Sequence, residues 1–268
     1  MKISRIIPVI ILAFMASLFC VSVATARSRY SDSPREIIIQ MKTSRGVASQ
    51  IYRQVQVPDF TLYGDGRVVF SRTDHLENQF LYEAKLDGDY INFLLDYLES
   101  EGFWDMNENY LNLTVEGLDT TTISVRTREK QKSIRVYGLL LAARQRMIPS
   151  GLANIYRQLT EFNREDEVRY NPDKITLLVY RYDGEIPQDA NRINWKVSGI
   201  KLADYAHQEK SLMVRYKETV ITGEEKDKIL GFILDKTLYG NRAGFFANFF
   251  HNHRQLFKVA YRPHLPYE

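Results

Sequence analysis

The chain has 268 residues, of which 44% are hydrophobic and 26% are charged, and its formal net charge is +3. This length suffices for one large domain or two small ones with a sizeable apolar core. The positive and negative charges are therefore nearly balanced. This balance excludes the strong basic field by which proteins attract nucleic acid, and we expect no nucleic-acid partner.

The first 26 residues have the layout of a secretory signal peptide, with a basic start, an apolar run and a small-x-small cleavage site. Lys2 and Arg5 are the basic residues, the apolar run covers 6–23, and the cleavage site ends at Ala26. We therefore expect segment 1–26 to be removed and the protein to be periplasmic or extracellular.

Two alternatives keep the N-terminus attached to a membrane. The apolar run is near the lower limit for a membrane span, which needs about 20 residues, so an uncleaved segment would be an anchor. A lipid on Cys20 is the other alternative, although Phe19 stands where lipid-attachment motifs have a small residue. Because Cys20 is the only cysteine, the cleaved chain has no thiol for disulfides, thiol catalysis, iron–sulfur clusters or Cys-based zinc sites.

The first elements predicted after the cleavage site are a polar tether, a strand and a hairpin. Residues 27–34 are polar and form the tether, and the β-prone run 37–41 is the first strand. Between residues 60 and 70, Asp65-Gly66 separates two β-prone runs, which predicts a two-residue hairpin turn whose central residues both have positive φ. Such a turn explains both residues without any ligand.

A helix is predicted next, over about 87–100, with Asp87 or Asp89 as its cap and Gly102 just after its end. Apolar residues at i, i+3, i+4 and i+7 mark its inward face. These residues are Ile91, Leu94, Leu95 and Leu98.

A second hairpin is predicted from 120–127 and 132–137, and a second helix follows with Ser150 as its cap. The inward side of this helix carries Leu152, Ile155, Tyr156 and Leu159. Residues 35–163 thus predict an α+β unit, in which an antiparallel sheet built from hairpins has helices packed on one face.

Charged and turn-forming residues over 163–173 mark the best internal boundary. Residues 174–268 then predict a second α+β unit packed on the first. The two halves share a loose strand–helix–strand rhythm, which suggests similar halves, but no residue pattern repeats clearly.

The second unit is predicted to contain three strands and two helices. The strands are at 175–181, 212–216 and 257–261. A capping box from Thr222 to Glu225 begins one helix, because the threonine and the glutamate can each satisfy a free backbone N–H. A short aromatic helix is suggested by the spacing of Phe245, Phe246, Phe249 and Phe250.

The hairpin sequence from Pro58 through Phe60-Thr-Leu-Tyr-Gly-Asp-Gly-Arg-Val-Val, followed by an apolar helix and a Thr-rich strand, resembles a group of uncharacterised secreted bacterial proteins. The closing segment 261–266 (Tyr-Arg-Pro-His-Leu-Pro) is similar to their ends as well. The resemblance covers most of residues 35–266 and implies an α+β envelope protein. It implies no activity.

His251 and His253 form the nearest approach to a metal motif. On a strand, His-x-His puts both imidazoles on one face, which suits zinc or copper when a third ligand such as His207 or His264 joins them. On a helix the two side chains point about 200° apart and cannot readily share an ion. The preceding phenylalanines favour a helix, so structural or surface histidines are the preferred interpretation, and we expect no cofactor.

Binding candidates are aromatic and acidic. Tyr63, Tyr82, Tyr90, Tyr97, Trp104 and Tyr110 could line a groove for a glycan or peptide, although aromatics at helical spacing more often belong to the core. Asp65 and Asp119 are the carboxylates to inspect as a hydrolytic pair, with turn chemistry as the simpler explanation. The basic residues of the second hairpin tip, expected to be a solvated loop, are Arg126, Arg128, Lys130 and Lys132.

A secretion signal without a reactive constellation predicts a non-catalytic binding protein whose partner is an envelope protein, a peptide or a glycan. The alternative is a periplasmic enzyme, such as a metal-assisted hydrolase that uses His251 and His253. The sequence has no nucleophile motif, phosphate loop or dinucleotide fingerprint, so the first hypothesis is preferred.

Overall fold

The computed structural model describes residues 29–46, 54–73, 79–111, 114–182, 192–207, 217–236, 248–252 and 255–268. The predicted signal peptide and the predicted strand 212–216 lie outside these ranges. Within them, no helix is long and apolar enough to cross a bilayer.

The described residues form an α+β fold, as predicted. The strands are β1 (Ile37–Ser44), β2 (Phe60–Tyr63), β3 (Arg67–Thr73), β4 (Gln79–Lys85), β5 (Asn109–Tyr110), β6 (Thr120–Arg126), β7 (Gln131–Tyr137), β8 (Val168–Arg169), β9 (Lys174–Tyr182), β10 (Arg192–Asn194), β11 (Ala206–His207), β12 (Lys217–Thr222), β13 (Asn248–Asn252) and β14 (Gln255–Pro263). The helices are α1 (Gly88–Ser100), α2 (Leu139–Arg144), α3 (Ser150–Thr160), α4 (Leu202–Tyr205) and α5 (Gly223–Lys236), with a 3₁₀ turn at Phe103–Asp105.

The first sheet has eight strands in the order β5-β7-β6-β1-β2-β3-β4-β8. Its pairs are antiparallel except for β5 with β7, and hairpins connect β2 with β3, β3 with β4 and β6 with β7. Helices α1, α2 and α3 share one core with one face of this sheet, where side chains alternate inward along each strand. The predicted arrangement of hairpins with helices on one face is therefore confirmed.

The two longer helices of this unit begin differently. Asp87 caps α1 by accepting a hydrogen bond from the backbone N–H of Tyr90 at 2.8 Å, and Gly102 follows the helix in the left-handed conformation, as predicted. The prediction that Ser150 caps α3 was wrong, because Ser150 is already helical. Pro149, whose ring holds φ near −57°, precedes the helix and offers no capping side chain.

The turn between β2 and β3 also differs from its prediction. Strand β2 ends at Tyr63 and β3 begins at Arg67, so three residues form the loop rather than two. The N–H of Gly66 donates to the carbonyl of Tyr63 at 2.9 Å, and Gly66 alone in the turn has a positive φ, of 87°. This is the three-residue alternative to the two-residue turn, in which a left-handed glycine completes the reversal.

The second sheet has six strands, with β10-β13-β14-β9-β11 in order and β12 also paired to β9. Residues 248–252, predicted as part of an aromatic helix, form β13 instead. This strand pairs antiparallel with β14 from Asn248 opposite Val259 to Asn252 opposite Gln255, and sheet pairing overrides the helical spacing of the phenylalanines.

The two sheets meet through the face of the first sheet that the helices leave free. Val69 of β3 and Leu81 of β4 point to this face and belong to the second core, together with residues of β9, β14 and α5. Tyr170, between β8 and β9, joins the same core. Part of the first sheet is therefore covered on both faces, and a cleft lies at the edge of this contact.

Candidate functional site

The proposed metal ligands are placed only in part. His251 lies in β13, whereas His253 lies outside the described residues. Among the residues that the structure describes, no three His, Cys, Asp or Glu side chains are grouped to hold a metal ion. The metal site stays a prediction.

Tyr63 and Asp65 lie under the C-terminal end of the chain. The Asp65 carboxylate accepts hydrogen bonds from the N–H of Arg67 (3.0 Å), from Lys85 Nζ (3.1 Å) and from the hydroxyl of Tyr267 (3.1 Å). Burial alone would raise the pKa of Asp65, but these three donors outweigh it and hold the pKa below its usual value. The Tyr63 ring packs edge-on against that of Tyr267, 5.4 Å between centroids. Tyr63 and Asp65 therefore both hold Tyr267, next to the last residue of the chain, in position.

Asp65 and Asp119 cannot act as a carboxylate pair. Asp65 follows the strand end that lies beside Ile37, and Asp119 precedes the strand end that lies beside Ser44. The eight-residue strand β1 separates these ends by about 23 Å at ~3.3 Å per residue. Paired glycosidase carboxylates stand about 5–9.5 Å apart, and Asp119 instead accepts a hydrogen bond from the N–H of Gly46 at 3.2 Å.

The aromatic candidates do not form one groove. Tyr82, Tyr90, Tyr97, Trp104 and Tyr110 pack against the first core as partly buried side chains. Tyr63 is buried on the other face of the sheet, because it follows the inward-facing Leu62. The Tyr110 hydroxyl accepts from the N–H of Asn107 (3.0 Å), and the Lys130 ammonium lies 5.6 Å from the ring centroid of Trp104. The core interpretation accounts for these aromatics.

Arg126, Arg128 and Lys130 of the second hairpin are exposed, as expected for a solvated loop, and Lys132 is half-buried. Several of these basic residues also have partners within the chain. Arg128 Nε donates to the carbonyl of Tyr30 at 2.8 Å, and Arg126 lies 3.5 Å from the carboxylate of Glu36. Lys132 Nζ donates to the carbonyl of Trp104 at 2.6 Å. The hairpin thus holds the segment 29–36, including the described part of the predicted tether, against the sheet.

A polar cluster that the sequence did not indicate lies on the second sheet. His264 Nε2 is 2.7 Å from the hydroxyl of Thr176, and its Nδ1 is 3.7 Å from the carboxylate of Glu268. The set resembles a nucleophile, a base and an orienting acid. However, Thr176 is 8% exposed, so a substrate has no approach to its hydroxyl. The cluster therefore has a structural role, because it holds the C-terminal residues against the second sheet.

We predict that His264 makes the protein less stable in acid. Burial lowers the pKa of His264 below 6.5, and the positive charges of Arg262 and Lys174 lower it further against the attraction of Glu268. As the pH falls through 6.5 the unfolded chain takes up the proton first, so folding is penalised by up to about 1.4 kcal/mol per pH unit until the folded pKa is reached. Urea unfolding at pH 7.5 and 5.5 should show a smaller loss for His264→Gln than for the wild type. An equal loss would contradict this assignment.

A mostly apolar cleft lies between the two sheets. It has a volume of about 320 Å³ and lies between the edge of the first sheet, α5 and the end of β14. Its lining is mostly apolar and includes Phe80, Leu81, Pro172, Leu230, Leu234 and Tyr261. Cavities of this kind, at a junction between structural units, are the usual location of small-ligand sites.

One wall of the cleft is held in place by a buried ammonium group. Lys226 of α5 is only 5% exposed. Its Nζ donates to Asn171 Oδ1 (3.0 Å) and to the carbonyl of Pro172 (2.8 Å), and it pairs with Asp227 at 2.8 Å. This ties the segment between β8 and β9 to α5, so the two walls have a fixed separation.

Two other cavities are less suited to a ligand. A wider groove of about 690 Å³ runs between α2 and α3, and Leu140 on its rim is exposed to solvent. A pocket of about 290 Å³ beside Trp104 is lined mainly by charged and polar residues of the hairpin tip and α1. Two of the charged groups in this pocket already pair with each other, since Arg29 lies 2.6 Å from the carboxylate of Glu99.

The sequence patterns did not predict the cleft, although the residues of α5 give one indication of it. Asp227, Gly231 and Leu234 recur at i, i+4 and i+7, which puts them on one face of the helix. A glycine in the middle of a predicted helix costs about 1 kcal/mol relative to alanine and signals a packing or functional reason. Here a Cβ on Gly231 would meet no atom within 4 Å, because the residue faces the open cleft.

Comparison with known proteins gives one family match. Residues 56–163 match the family model of a domain of unknown function (DUF6438). The matched segment runs from just before β2 to just after α3, and so covers much of the first sheet with its helices. The match agrees with a resemblance to uncharacterised proteins and brings no activity with it. No curated protein and no solved structure matches the chain.

Proposed function

We propose that this chain is a secreted or periplasmic non-catalytic binding protein that holds a small, largely apolar ligand in the cleft between its two sheets. The N-terminal signal pattern supports the location. The apolar lining of the cleft is the observation that carries the proposal.

The titratable groups at the cleft support binding rather than catalysis. The Tyr170 hydroxyl donates to the carbonyl of His264 at 2.6 Å, and burial raises the pKa of Tyr170. Burial likewise raises the pKa of Tyr261, so both phenols stay protonated at neutral pH. Asp227 is paired with Lys226. Among the described lining residues, no nucleophile stands beside a base that could activate it.

The cavity also restricts which of the three expected partner classes, an envelope protein, a peptide or a glycan, can bind in it. A glycan needs exposed aromatic faces and many polar groups, whereas this lining is mostly apolar. At about 320 Å³ the space is near the lower end of ligand pockets, which span about 300–1,000 Å³. It suits a small molecule or one apolar side chain of a peptide.

Filling the cleft from Gly231 tests this function. The neutral fluorescent probe N-phenyl-1-naphthylamine should bind the wild type, and Gly231→Phe should weaken binding at least about tenfold, because the new ring would occupy the open space at this position.

Gly231→Ala is the matched control, since it adds one methyl group and leaves most of the cavity free. It should bind the probe like the wild type and raise the free energy of unfolding by about 0.5–1 kcal/mol. If Gly231→Phe binds the probe as tightly as Gly231→Ala does, the cleft is not the site.

A further inference from the structure

We propose that the cleft selects an anionic amphiphile, a small molecule with an apolar body and one carboxylate or similar anionic group, and that Arg169 binds the anionic group. This inference rests on the proposed function and names the ligand class of the same site.

Arg169 stands at the edge of the cleft with its guanidinium stacked. It belongs to the short edge strand β8 and pairs with Tyr82 of β4. Its guanidinium carbon lies 3.8 Å from the ring centroid of Phe80, another lining residue. Stacking uses the face of the guanidinium and leaves the N–H groups in its plane available to bind a carboxylate with two hydrogen bonds.

Other arginines of this part of the molecule have carboxylate partners. Arg67 pairs with Glu83 at 2.7 Å, Arg164 pairs with Asp166 at 3.2 Å, and Arg72 pairs with Glu167. Arg169 makes no ion pair with any carboxylate in the described ranges. A guanidinium that is held by stacking and has no carboxylate partner in this part of the structure is the arrangement that binding sites for anions use.

The other charged group at the cleft does not neutralise the positive charge of Arg169. Asp227 is the acidic residue of the described lining, and its carboxylate pairs with Lys226 at 2.8 Å. The other lining residues are apolar, aromatic or uncharged. A ligand that fills the apolar part of the cleft therefore meets a guanidinium that has no carboxylate partner among the described residues, which favours an anionic group on that ligand.

Two probes that differ by one anionic group test this selection. N-phenyl-1-naphthylamine is neutral, and 8-anilinonaphthalene-1-sulfonate adds a sulfonate to the same scaffold. Fluorescence titration should show that Arg169→Gln weakens binding of the sulfonate probe by about tenfold, as expected for one charge-assisted hydrogen-bonding partner at an exposed position. Binding of the neutral probe should be unchanged.

Arg135→Gln, at an exposed position of β7, is the matched control for net charge and should affect neither probe. If Arg169→Gln leaves the sulfonate probe unchanged, or weakens both probes equally, the proposed ligand class is wrong while the cleft remains a binding site. If Gly231→Phe affects neither probe, or the wild type binds neither, the proposed function fails as well.

Discussion

Gly66→Ala is expected to lower the free energy of unfolding by about 2–5 kcal/mol. Gly66 has a φ of 87°, where an L-residue with a Cβ is strained. A Cβ at this position would also lie 2.2 Å from the backbone carbonyl oxygen of Leu86, which cannot move aside like the end of a side chain. The strain of the left-handed conformation and the steric overlap therefore both contribute to the loss of unfolding free energy. Urea unfolding followed by circular dichroism measures the loss.

Gly102→Ala separates the two contributions. Gly102 has a nearly equal φ of 80°, but a Cβ there would meet no atom within 4 Å. Only the conformational strain remains, so the expected loss is about 1–2 kcal/mol. Equal losses for the two variants would mean that the close approach of β2–β3 to Leu86 has no energetic importance.

Lys226→Met is expected to cost about 2–4 kcal/mol of unfolding free energy, because it leaves the Asn171 amide oxygen and the Pro172 carbonyl without the ammonium group that they accept from. The cleft wall at these residues also loses its tie to α5. We therefore expect weaker binding of N-phenyl-1-naphthylamine together with a lower midpoint of urea unfolding.

The matched control is Lys228→Met in the same helix. Lys228 pairs with Glu224 at 2.8 Å, but its side chain is 50% exposed, and exposed pairs contribute little. This variant should unfold and bind like the wild type. If Lys226→Met behaves like the control, the buried ammonium does not hold the cleft together.

The sequence alone predicted those elements whose stabilising interactions join residues that are close together in the chain. In α1, four apolar residues recur at helical spacing, Asp87 can cap the first turn and Gly102 can end the last, so pattern and capping agree. The two hairpins of the first sheet likewise follow from β-prone runs around turn formers. In each case the decisive interactions join residues close together in the chain.

The predicted aromatic helix was wrong because sheet pairing outweighs the local spacing of the phenylalanines. Strand β13 pairs with the adjacent β14 and also, in parallel, with β10, where Arg192 lies opposite Phe249, and the aromatic spacing within 248–252 contains no information about β10. The exposed tip of the second hairpin was predicted, but its contacts with Tyr30 and Glu36, between 90 and 98 residues earlier, were not. Local composition contains no information about which distant segment a loop contacts.

The candidate site was missed for the same reason. Its lining comes from β4, β8, α5 and β14, which are separated by up to about 180 positions in the chain. Singly, Phe80, Arg169 and Leu234 are ordinary strand and helix residues. Only the packing of the two sheets brings them together. By contrast, the residues chosen from sequence, such as Asp65 and Trp104, stood out in the local sequence and have structural roles.

Backbone amide chemical shifts of the wild-type protein, measured as N-phenyl-1-naphthylamine is added, report where the ligand binds. If the cleft between the sheets is the binding site, we expect the largest changes at Phe80, Leu81, Leu230 and Gly231. Changes concentrated between α2 and α3, around Leu140 and Ala143, would place the ligand in the other groove and contradict the proposed function.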